Sequence, residues 1–340
     1  MSRKIFYFKL LLVFILFSGC EETSQNYIRN RLQPVSVNSG FKMDDYWVWC
    51  GSIIKVGSTY HMFASRWPKG KDFPIDYFEK SEIVRATSKS ILGPYEFKDL
   101  VIGERDSSYW DSNMAHNPTI IKIGNQYVLC YIGSDFSTMR PGSNRYLRRI
   151  GYAVSSKIEG PWVRSEKPII NTESNNPALL LDKDKIKLMY RDEKLRVYLA
   201  DADSISGSFK IINDNVWPKS ELEDFYLFKT ENKYHLICED GEGYITGHEK
   251  WGTHLYSDDG INNWKKYGNG IAYDHEIRFV GDSVLNCNRR ERPQLLIEDN
   301  KIIGLITAVY DGKNSWCQPV IIEPSIDLKN MGIVIREMPE

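Results

Sequence analysis

The 340-residue chain lacks the features that define several large classes of protein. Its N-terminal apolar run, residues 10–17, is far shorter than the roughly 20 residues of a helix that spans a bilayer. A net charge of -1 gives no basic face for a nucleic-acid partner, and no phosphate-binding glycine loop is visible. The six cysteines have no close spacing, so no zinc site is predicted. Helical periodicity is nearly absent, which favours an all-β fold.

Residues 1–19 are predicted to be a signal peptide, because a basic start is followed by a short apolar run. Ser18 and Gly19 precede Cys20, and small residues before a cysteine resemble the cleavage box of bacterial lipoproteins. The resemblance implies that Cys20 carries lipid and becomes the new N-terminus. Glu21 and Glu22 follow directly and resemble the surface-export signal of some Bacteroidota lipoproteins. We therefore expect an outer-membrane lipoprotein, on the periplasmic or cell-surface face, with residues 20–40 as a tether. An ordinary secretory signal with a chance cysteine is the alternative.

Five segments of the remaining chain share one plan: an apolar strand, a turn rich in Gly, Asp or Asn, and a second strand rich in Tyr and Leu. They begin at residues 51, 117, 176, 224 and 292. A third strand and a weaker fourth follow in most of them, which suits a four-stranded blade of about 40–50 residues plus loops. The pattern predicts an all-β, five-bladed β-propeller over residues 41–340. The 9 Trp and 20 Tyr favour strands and can also stack on sugars.

The innermost strand of each propeller blade lines a central channel, so the residues just before the five inner strands should converge at one entrance. Polar or charged groups stand there in four of the five blades. The column reads Trp49-Cys50-Gly51, Ala115-His116-Asn117, Asn175-Asn176, Glu223-Asp224 and Arg290-Glu291-Arg292. Buried charge is costly unless it is paired or used. The column therefore predicts a polar pocket, with capping of strand ends as the alternative interpretation.

Three blade openings carry a further signature: Asn117-Pro118, Asn176-Pro177 and Arg292-Pro293. They resemble the Asp-Pro openings of a clan of five-bladed propeller glycoside hydrolases that includes families 43, 62, 32, 68, 117 and 130. The resemblance covers nearly all of residues 45–325. It implies the propeller fold and an activity on carbohydrates.

The resemblance assigns only part of a catalytic site. By comparison with family 43, Glu223 is the general acid. Gly51 stands where that family has its base, and Asn176 stands where it has a third carboxylate. The base is therefore left unidentified. The resemblance also allows a calcium ion in the channel, although no ligand cluster in the sequence points to a metal or to another cofactor.

Other residues could complete the site. Asp111 and His116 precede an inner strand and are candidates for the base, and His248 resembles the histidine acid of family 117, with a surface-loop histidine as the alternative. Arginine offers a fork for carboxylate or sulfate, so arginines here would suit an anionic sugar, with structural ion pairing as the alternative. The predicted substrate-binding residues are Trp49, Arg66, Trp67, Asn117, Asn176, Arg191, Asp224, Glu291 and Arg292.

These observations support three hypotheses about function. The first is an exo-acting glycoside hydrolase on oligosaccharides from a plant or algal polysaccharide. The second is a lyase or dehydratase on uronic-acid sugars, which needs an acid/base pair and an arginine clamp. The third is a non-catalytic sugar-binding lipoprotein. In all three the expected partner is an oligosaccharide.

Overall fold

The computed structural model describes residues 27–70, 73–139 and 146–329. The predicted signal peptide and Cys20 lie outside the described residues. Within the described ranges, no helix is long and apolar enough to cross a membrane. Helical structure there consists of one turn of α-helix, α1 (Tyr77–Lys80), and the 3-10 helices Arg29–Arg31 and Phe136–Thr138.

Five antiparallel sheets follow one another along the chain as the blades of a β-propeller, which confirms the predicted fold. Blade I contains β1 (Tyr46–Val56), β2 (Thr59–Pro68), β3 (Glu82–Ser88) and β4 (Glu96–Ile102). Blade II contains β5 (Met114–Ile123), β6 (Gln126–Ser134), β7 (Arg149–Ser155) and β8 (Val163–Arg164). Blade III contains β9 (Asn175–Asp182), β10 (Lys185–Arg191), β11 (Val197–Ala202) and β12 (Lys210–Asn213). Blade IV contains β13 (Leu222–Lys229), β14 (Tyr234–Asp240), β15 (Trp251–Ser257) and β16 (Lys265–Tyr273).

Blade V follows a short hairpin, β17 (Glu276–Arg278) and β18 (Val284–Asn286). Its sheet contains β19 (Arg289–Glu298), β20 (Lys301–Tyr310) and β21 (Ser315–Asp327). In every blade the sheet order follows the chain order, so the first strand is innermost. The five inner strands β1, β5, β9, β13 and β19 contact one another around the propeller axis.

Tight turns join the first two strands of the blades, as the glycine-rich pattern predicts. Val56 pairs with Thr59, and Ile123 pairs with Gln126, so only two residues form each of these turns. Gly57 and Gly124 open the two turns with φ of 59° and 56°. A two-residue hairpin needs this left-handed conformation, which glycine adopts at no steric cost.

The N-terminal segment closes the ring. Leu32 forms an antiparallel bridge to Ile322, and Phe41 forms one to Cys317, both on β21. Ile28 and Val35 are each 1% exposed, so this segment packs against blade V as part of the fold. The predicted tether over residues 20–40 is therefore wrong from residue 28 onwards. The polar composition of these residues suggested a linker, but their few apolar side chains are buried and isolated bridges join them to the rest of the fold.

The core lies between neighbouring blades. On β6, every residue after Gln126 is buried, because blades I and III cover both faces of blade II. The five cysteines of the described ranges, Cys50, Cys130, Cys238, Cys287 and Cys317, are buried free thiols.

Candidate active site

A pocket of about 450 Å³ of empty space opens where the inner strands begin. All five blades contribute to its lining: Trp49, Trp67, Phe73, Pro74, Tyr77, His116, Asn117, Asn175, Asn176, Glu223, Asp224, Arg289 and Glu291. The structure therefore brings the predicted Trp49, Trp67, His116, Asn117, Asn176, Glu223, Asp224 and Glu291 together at one site.

A strained backbone position repeats at the floor of this pocket. In each inner strand the pairing register shifts at the same point, which is a β-bulge. The first residue of each bulge has φ between 55° and 57°: Cys50, Asn117, Asn176, Asp224 and Arg292. Asn and Asp tolerate this left-handed conformation, whereas Cys and Arg adopt it rarely. Such strain persists only where surrounding contacts stabilise it, and it clusters at functional sites.

Hydrogen bonds between blades supply that stabilisation. Cys50 Sγ donates to Asn117 Oδ1 at 2.8 Å, and Asn117 Nδ2 donates to Asn175 Oδ1 at 3.0 Å. Asn176 Nδ2 donates to Asp224 Oδ1, and the backbone N of Arg292 donates to Asp224 Oδ2 at 3.2 Å. The contacts link blade I to II, II to III, III to IV and IV to V. The polar column thus both supports the ring and lines the pocket.

Glu223 is the most accessible carboxylate in this lining. Its side chain is 28% exposed, against 9% for Asp224 and 6% for Glu291. Arg191 Nη2 donates to Glu223 Oε2 at 2.6 Å, and Arg191 Nε donates to Asn176 Oδ1 at 2.8 Å. The predicted residue Arg191 therefore holds Glu223 in place from just behind the pocket.

Glu291 is fixed by a two-point contact with an arginine. Arg289 Nε and Nη2 donate to its Oε1 and Oε2 at 2.5 and 2.9 Å. Desolvation by burial raises the pKa of Glu291, against the opposing effect of Arg289. A carboxylate with a raised pKa is a stronger base than an ordinary glutamate, and a general base works best when its pKa lies near the working pH.

Three buried carboxylates meet behind the lining. Oxygen atoms of Asp224, Glu239 and Glu291 lie within 4.8 Å of one another, the one such group of His, Cys, Asp or Glu in the described ranges. Glu239 is 2% exposed, and its Oε2 has no hydrogen-bond partner there. Burial is the main cause that raises the pKa of all three, and for Glu239 the raise is large. The trio has the oxygen ligands that a divalent ion such as calcium prefers, but protons compete for the same atoms.

The channel axis itself does not fit the calcium ion that the family resemblance allows. Arg292 is fully buried, and its Nη2 donates to the carbonyl oxygens of Asn117 and Pro177 at 3.3 and 3.0 Å. Its guanidinium also lies 3.8 Å from Asp224. The positively charged guanidinium therefore already binds the carbonyl oxygens that a metal would need there. Arg292 links neighbouring blades and does not line the pocket.

Aromatic side chains form the blade I side of the pocket. Phe73 stacks on Trp67 with ring centroids 5.7 Å apart and lies 4.8 Å from Trp49. Tyr77 of α1 stacks on His116 at 4.6 Å. Such rings give a sugar an apolar face to lie on.

His116 lines the pocket but is poorly suited to the predicted role of base. Its Nδ1 lies 2.7 Å from Ser81 Oγ, and Tyr77 covers its ring. Burial, together with the nearby Arg292 and Arg148, lowers its pKa to about 3. A histidine with so low a pKa is neutral at physiological pH and has little affinity for a proton.

Asp111 is not part of the pocket, and its prediction as a base is wrong. Its fully buried side chain accepts from Arg105 Nε at 2.6 Å, from Arg164 Nη2 at 2.6 Å and from Tyr131 OH at 2.7 Å. Two arginines and a tyrosine leave no oxygen for a substrate. Asp111 instead fastens the loop before β5 to blade II.

Two further predicted residues also lie elsewhere. Arg66 forms an ion pair with Glu82 at 2.7 Å and stacks on the ring of Tyr46, away from the lining. His248 is exposed and stacks on Trp251 with centroids 3.7 Å apart, as the alternative of a surface-loop histidine anticipated. Neither residue lines the pocket.

The common bulge also corrects the register of the sequence comparison. Cys50, and not Gly51, is the blade I residue at the position of Asn176. Glu223 lies one residue before that position, which places it level with Asn175 and Glu291. Glu223 and Glu291 therefore occupy equivalent positions on neighbouring blades. Spacing alone could not show this, because a bulge changes which residue faces the axis.

Several lining residues were missed. Phe73, Pro74 and Tyr77 come from the connection between β2 and β3, where no repeat marks them. Arg289 stands two residues before Glu291 on β19, and this i, i+2 spacing along a strand could have shown that both side chains share a face.

Comparison with solved structures supports the same architecture. Zg3597, a family 117 glycoside hydrolase of the marine bacterium Zobellia galactanivorans, matches with a TM-score of 0.62 at 15% identity, over 90% of this chain and 91% of that one. A BT0996 RGII complex matches with a TM-score of 0.68 at 13% identity, over 89% and 95%. The catalytic domain of a Coprinopsis cinerea GH62 α-L-arabinofuranosidase matches with a TM-score of 0.60 at 13% identity, over 87% and 98%. At these identities the likeness shows the fold. No protein-family model and no curated protein matches the chain.

Proposed function

We propose that the protein is an exo-acting glycoside hydrolase that removes a sugar from the end of an oligosaccharide. The observation that carries this proposal is the pocket itself, where aromatic rings of blade I and the carboxylates Glu223, Asp224 and Glu291 line one cavity. Most glycoside hydrolases use two carboxylates that flank the scissile bond. The likeness to propeller glycoside hydrolases supports the proposal at the level of fold.

Glu223 is the proposed general acid. It lines both this pocket and a second, outer pocket, so it stands at their junction. A sugar in the inner pocket would place its glycosidic oxygen at that junction. Arg191 also bonds Asn176 and lies 3.5 Å from Glu221, so it keeps other partners when Glu223 carries a proton.

Glu291 is the proposed general base. It lies at the position equivalent to Glu223 on the next blade, Arg289 orients both of its oxygens, and burial raises its pKa. It would take a proton from the attacking water as Glu223 gives one to the leaving oxygen.

The four arginines that the sequence suggests for the clamp of the lyase hypothesis have other partners. Arg66 is paired with Glu82, Arg191 with Glu223, and Arg292 is buried in the ring. Arg290 is 1% exposed and donates to the carbonyl oxygens of Asp274 and Glu276. These contacts agree with the alternative interpretation of the sequence, in which the arginines form structural ion pairs and the polar residues cap strand ends.

The two roles are tested by the leaving group. Glu223→Gln should lose at least a hundredfold in kcat on an oligosaccharide, yet retain most activity on a dinitrophenyl glycoside, whose leaving group needs no proton. Glu291→Gln should lose activity on both substrates. Equal losses in Glu223→Gln on both substrates would contradict the role of Glu223 as acid.

We also propose that the protein is exported and anchored by lipid at Cys20, on the sequence of residues 1–20. Metabolic labelling with a palmitate analogue tests it. Wild type should incorporate the label and Cys20→Ala should not; an unlabelled wild type would indicate an ordinary secretory signal.

A further inference from the structure

A second pocket adjoins the first and shares Glu223 with it. It contains about 820 Å³ of open space and is lined by Glu221, Glu223, Gly241, Glu242, Tyr244, Glu249 and Lys250. All of these residues come from blade IV or the connections beside it. A substrate that extends out of the inner pocket past Glu223 enters this space.

The loop that forms the outer pocket, residues 241–250, is held by one buried carboxylate. Asp240 Oδ2 accepts from the backbone N of Ile245 and of Thr246, each at 2.8 Å, and from Thr246 Oγ1 at 3.0 Å. The backbone N of Lys250 donates to the Asp240 carbonyl at 2.8 Å, which closes the loop. The loop therefore has a defined shape without a ligand.

This loop presents an aromatic ring to solvent. Tyr244 is 71% exposed, while its neighbours Ile245 and Thr246 are buried. A ring that is held out on a fixed loop costs little entropy when it binds, and tyrosine combines an apolar face with a hydroxyl. Tyr244 thus has the properties of a stacking platform for a sugar.

The charges of the outer pocket select against acids. Four glutamates and one lysine line it, and Arg191 lies 2.6 Å from Glu223 and 3.5 Å from Glu221. A carboxylate or sulfate would lie beside Glu242 and Glu249, with Lys250 as the counter-charge in the lining. Like charges across a contact disfavour binding. The lining of this space therefore favours a neutral sugar over the anionic sugar that the sequence suggests.

We infer that the outer pocket is the subsite for the leaving group, that Tyr244 is its stacking residue, and that it takes a neutral sugar. The inference rests on the proposed function, because it needs Glu223 at the scissile bond. It goes further by naming the residues and the charge class on the leaving-group side.

The test compares two substrates that release the same sugar. One is a neutral oligosaccharide, whose released sugar is first identified by mass spectrometry, and the other is the 4-nitrophenyl glycoside of that sugar. Tyr244→Ala should lower the ratio of kcat/KM for the oligosaccharide over the glycoside about three- to tenfold, the size of one stacking contact. Tyr109→Ala is the matched control, since Tyr109 is 39% exposed and lines neither pocket. It should leave the ratio unchanged.

A second variant tests the charge class. On substrates with a uronate next to the scissile bond, Glu242→Gln/Glu249→Gln should gain several-fold in kcat/KM relative to wild type, and the gain should shrink in high salt. If Tyr244→Ala leaves the ratio unchanged, or wild type prefers the uronate, the inference fails while the hydrolase stands. If wild type turns over neither substrate, the proposed function fails and the inference with it.

Discussion

Replacement of Glu239 by Gln should stabilise the protein, and the gain should increase with pH. Glu239 is 2% exposed, has an oxygen with no hydrogen-bond partner among the described residues, and lies beside Glu291 and Asp224. Burial and these neighbouring carboxylates raise its pKa far above that of an ordinary glutamate, against the opposing effect of Lys250. The amide of the Glu239→Gln variant would keep the shape of the side chain and remove the need to hold a proton in the folded state.

The size of the effect follows from proton linkage. A folded-state pKa above the unfolded value means that the native state holds a proton that the unfolded chain releases. The stabilisation is complete below the unfolded pKa and is lost as pH rises towards the folded pKa, at about 1.4 kcal/mol per pH unit for one proton. Between pH 5.5 and 7.5 wild type should therefore lose up to roughly 2.7 kcal/mol relative to Glu239→Gln. At about 2 °C per kcal/mol this is a Tm difference of about 5 °C.

Differential scanning calorimetry at pH 5.5, 6.5 and 7.5 measures this difference. The control is Glu96→Gln, whose side chain is 76% exposed and pairs with Lys98. Its Tm should follow that of wild type at each pH. A Tm for Glu239→Gln that falls below wild type by the same amount at every pH would refute the reasoning, because it would mean that the carboxylate is ionised and satisfied in the native state.

Three other predictions follow from burial and charge. Nδ1 of the buried His235 lies 3.1 Å from Nε2 of the buried His254, and burial lowers the pKa of both rings, that of His235 to about 3. The folded protein therefore does not bind the protons that the unfolded chain binds below about pH 6.5. Between pH 7 and 5, the free energy of unfolding in urea should fall by about 2 kcal/mol more for wild type than for His235→Gln, and equal losses would contradict these pKa shifts. Deletion of residues 1–40 should cost at least about 3 kcal/mol relative to deletion of 1–26, since Ile28 and Val35 are buried; equal Tm values would restore the tether. Asp111→Asn should lower stability by about 3–5 kcal/mol through Arg105 and Arg164, and a stable but inactive variant would make Asp111 a catalytic candidate again.

The fold could be predicted from sequence because it repeats. Each blade carries the same apolar strand, turn and aromatic strand, and the Gly57 and Gly124 turns have the geometry that their sequence demands. The position of the pocket followed from the same repeat, since the start of every inner strand must meet at the axis. The sequence repeat was therefore enough to predict both the architecture and the location of most of the residues that line the pocket.

What could not be predicted depends on contacts between distant segments. Nothing near Asp111 in sequence shows that Arg164 closes on it, and nothing in residues 28–40 shows that β21 has a free edge to cover. The left-handed backbone of Cys50 and Arg292 is likewise invisible, because neither residue type favours it and only the ring of hydrogen bonds stabilises it. The repeated sequence pattern identified the residues at the start of the inner strands. The contacts of each side chain with neighbouring blades determine whether it lines the pocket or supports the ring.

The central claim is tested most directly by mass spectrometry of products from the purified protein, without residues 1–20, incubated with a panel of neutral and acidic oligosaccharides. The account predicts two fragments whose masses sum to substrate plus one water, one of them a single sugar, and their absence with Glu223→Gln on the same substrate. A product lighter than the substrate by one water, or hydrolysis that continues unchanged in Glu223→Gln, would contradict it.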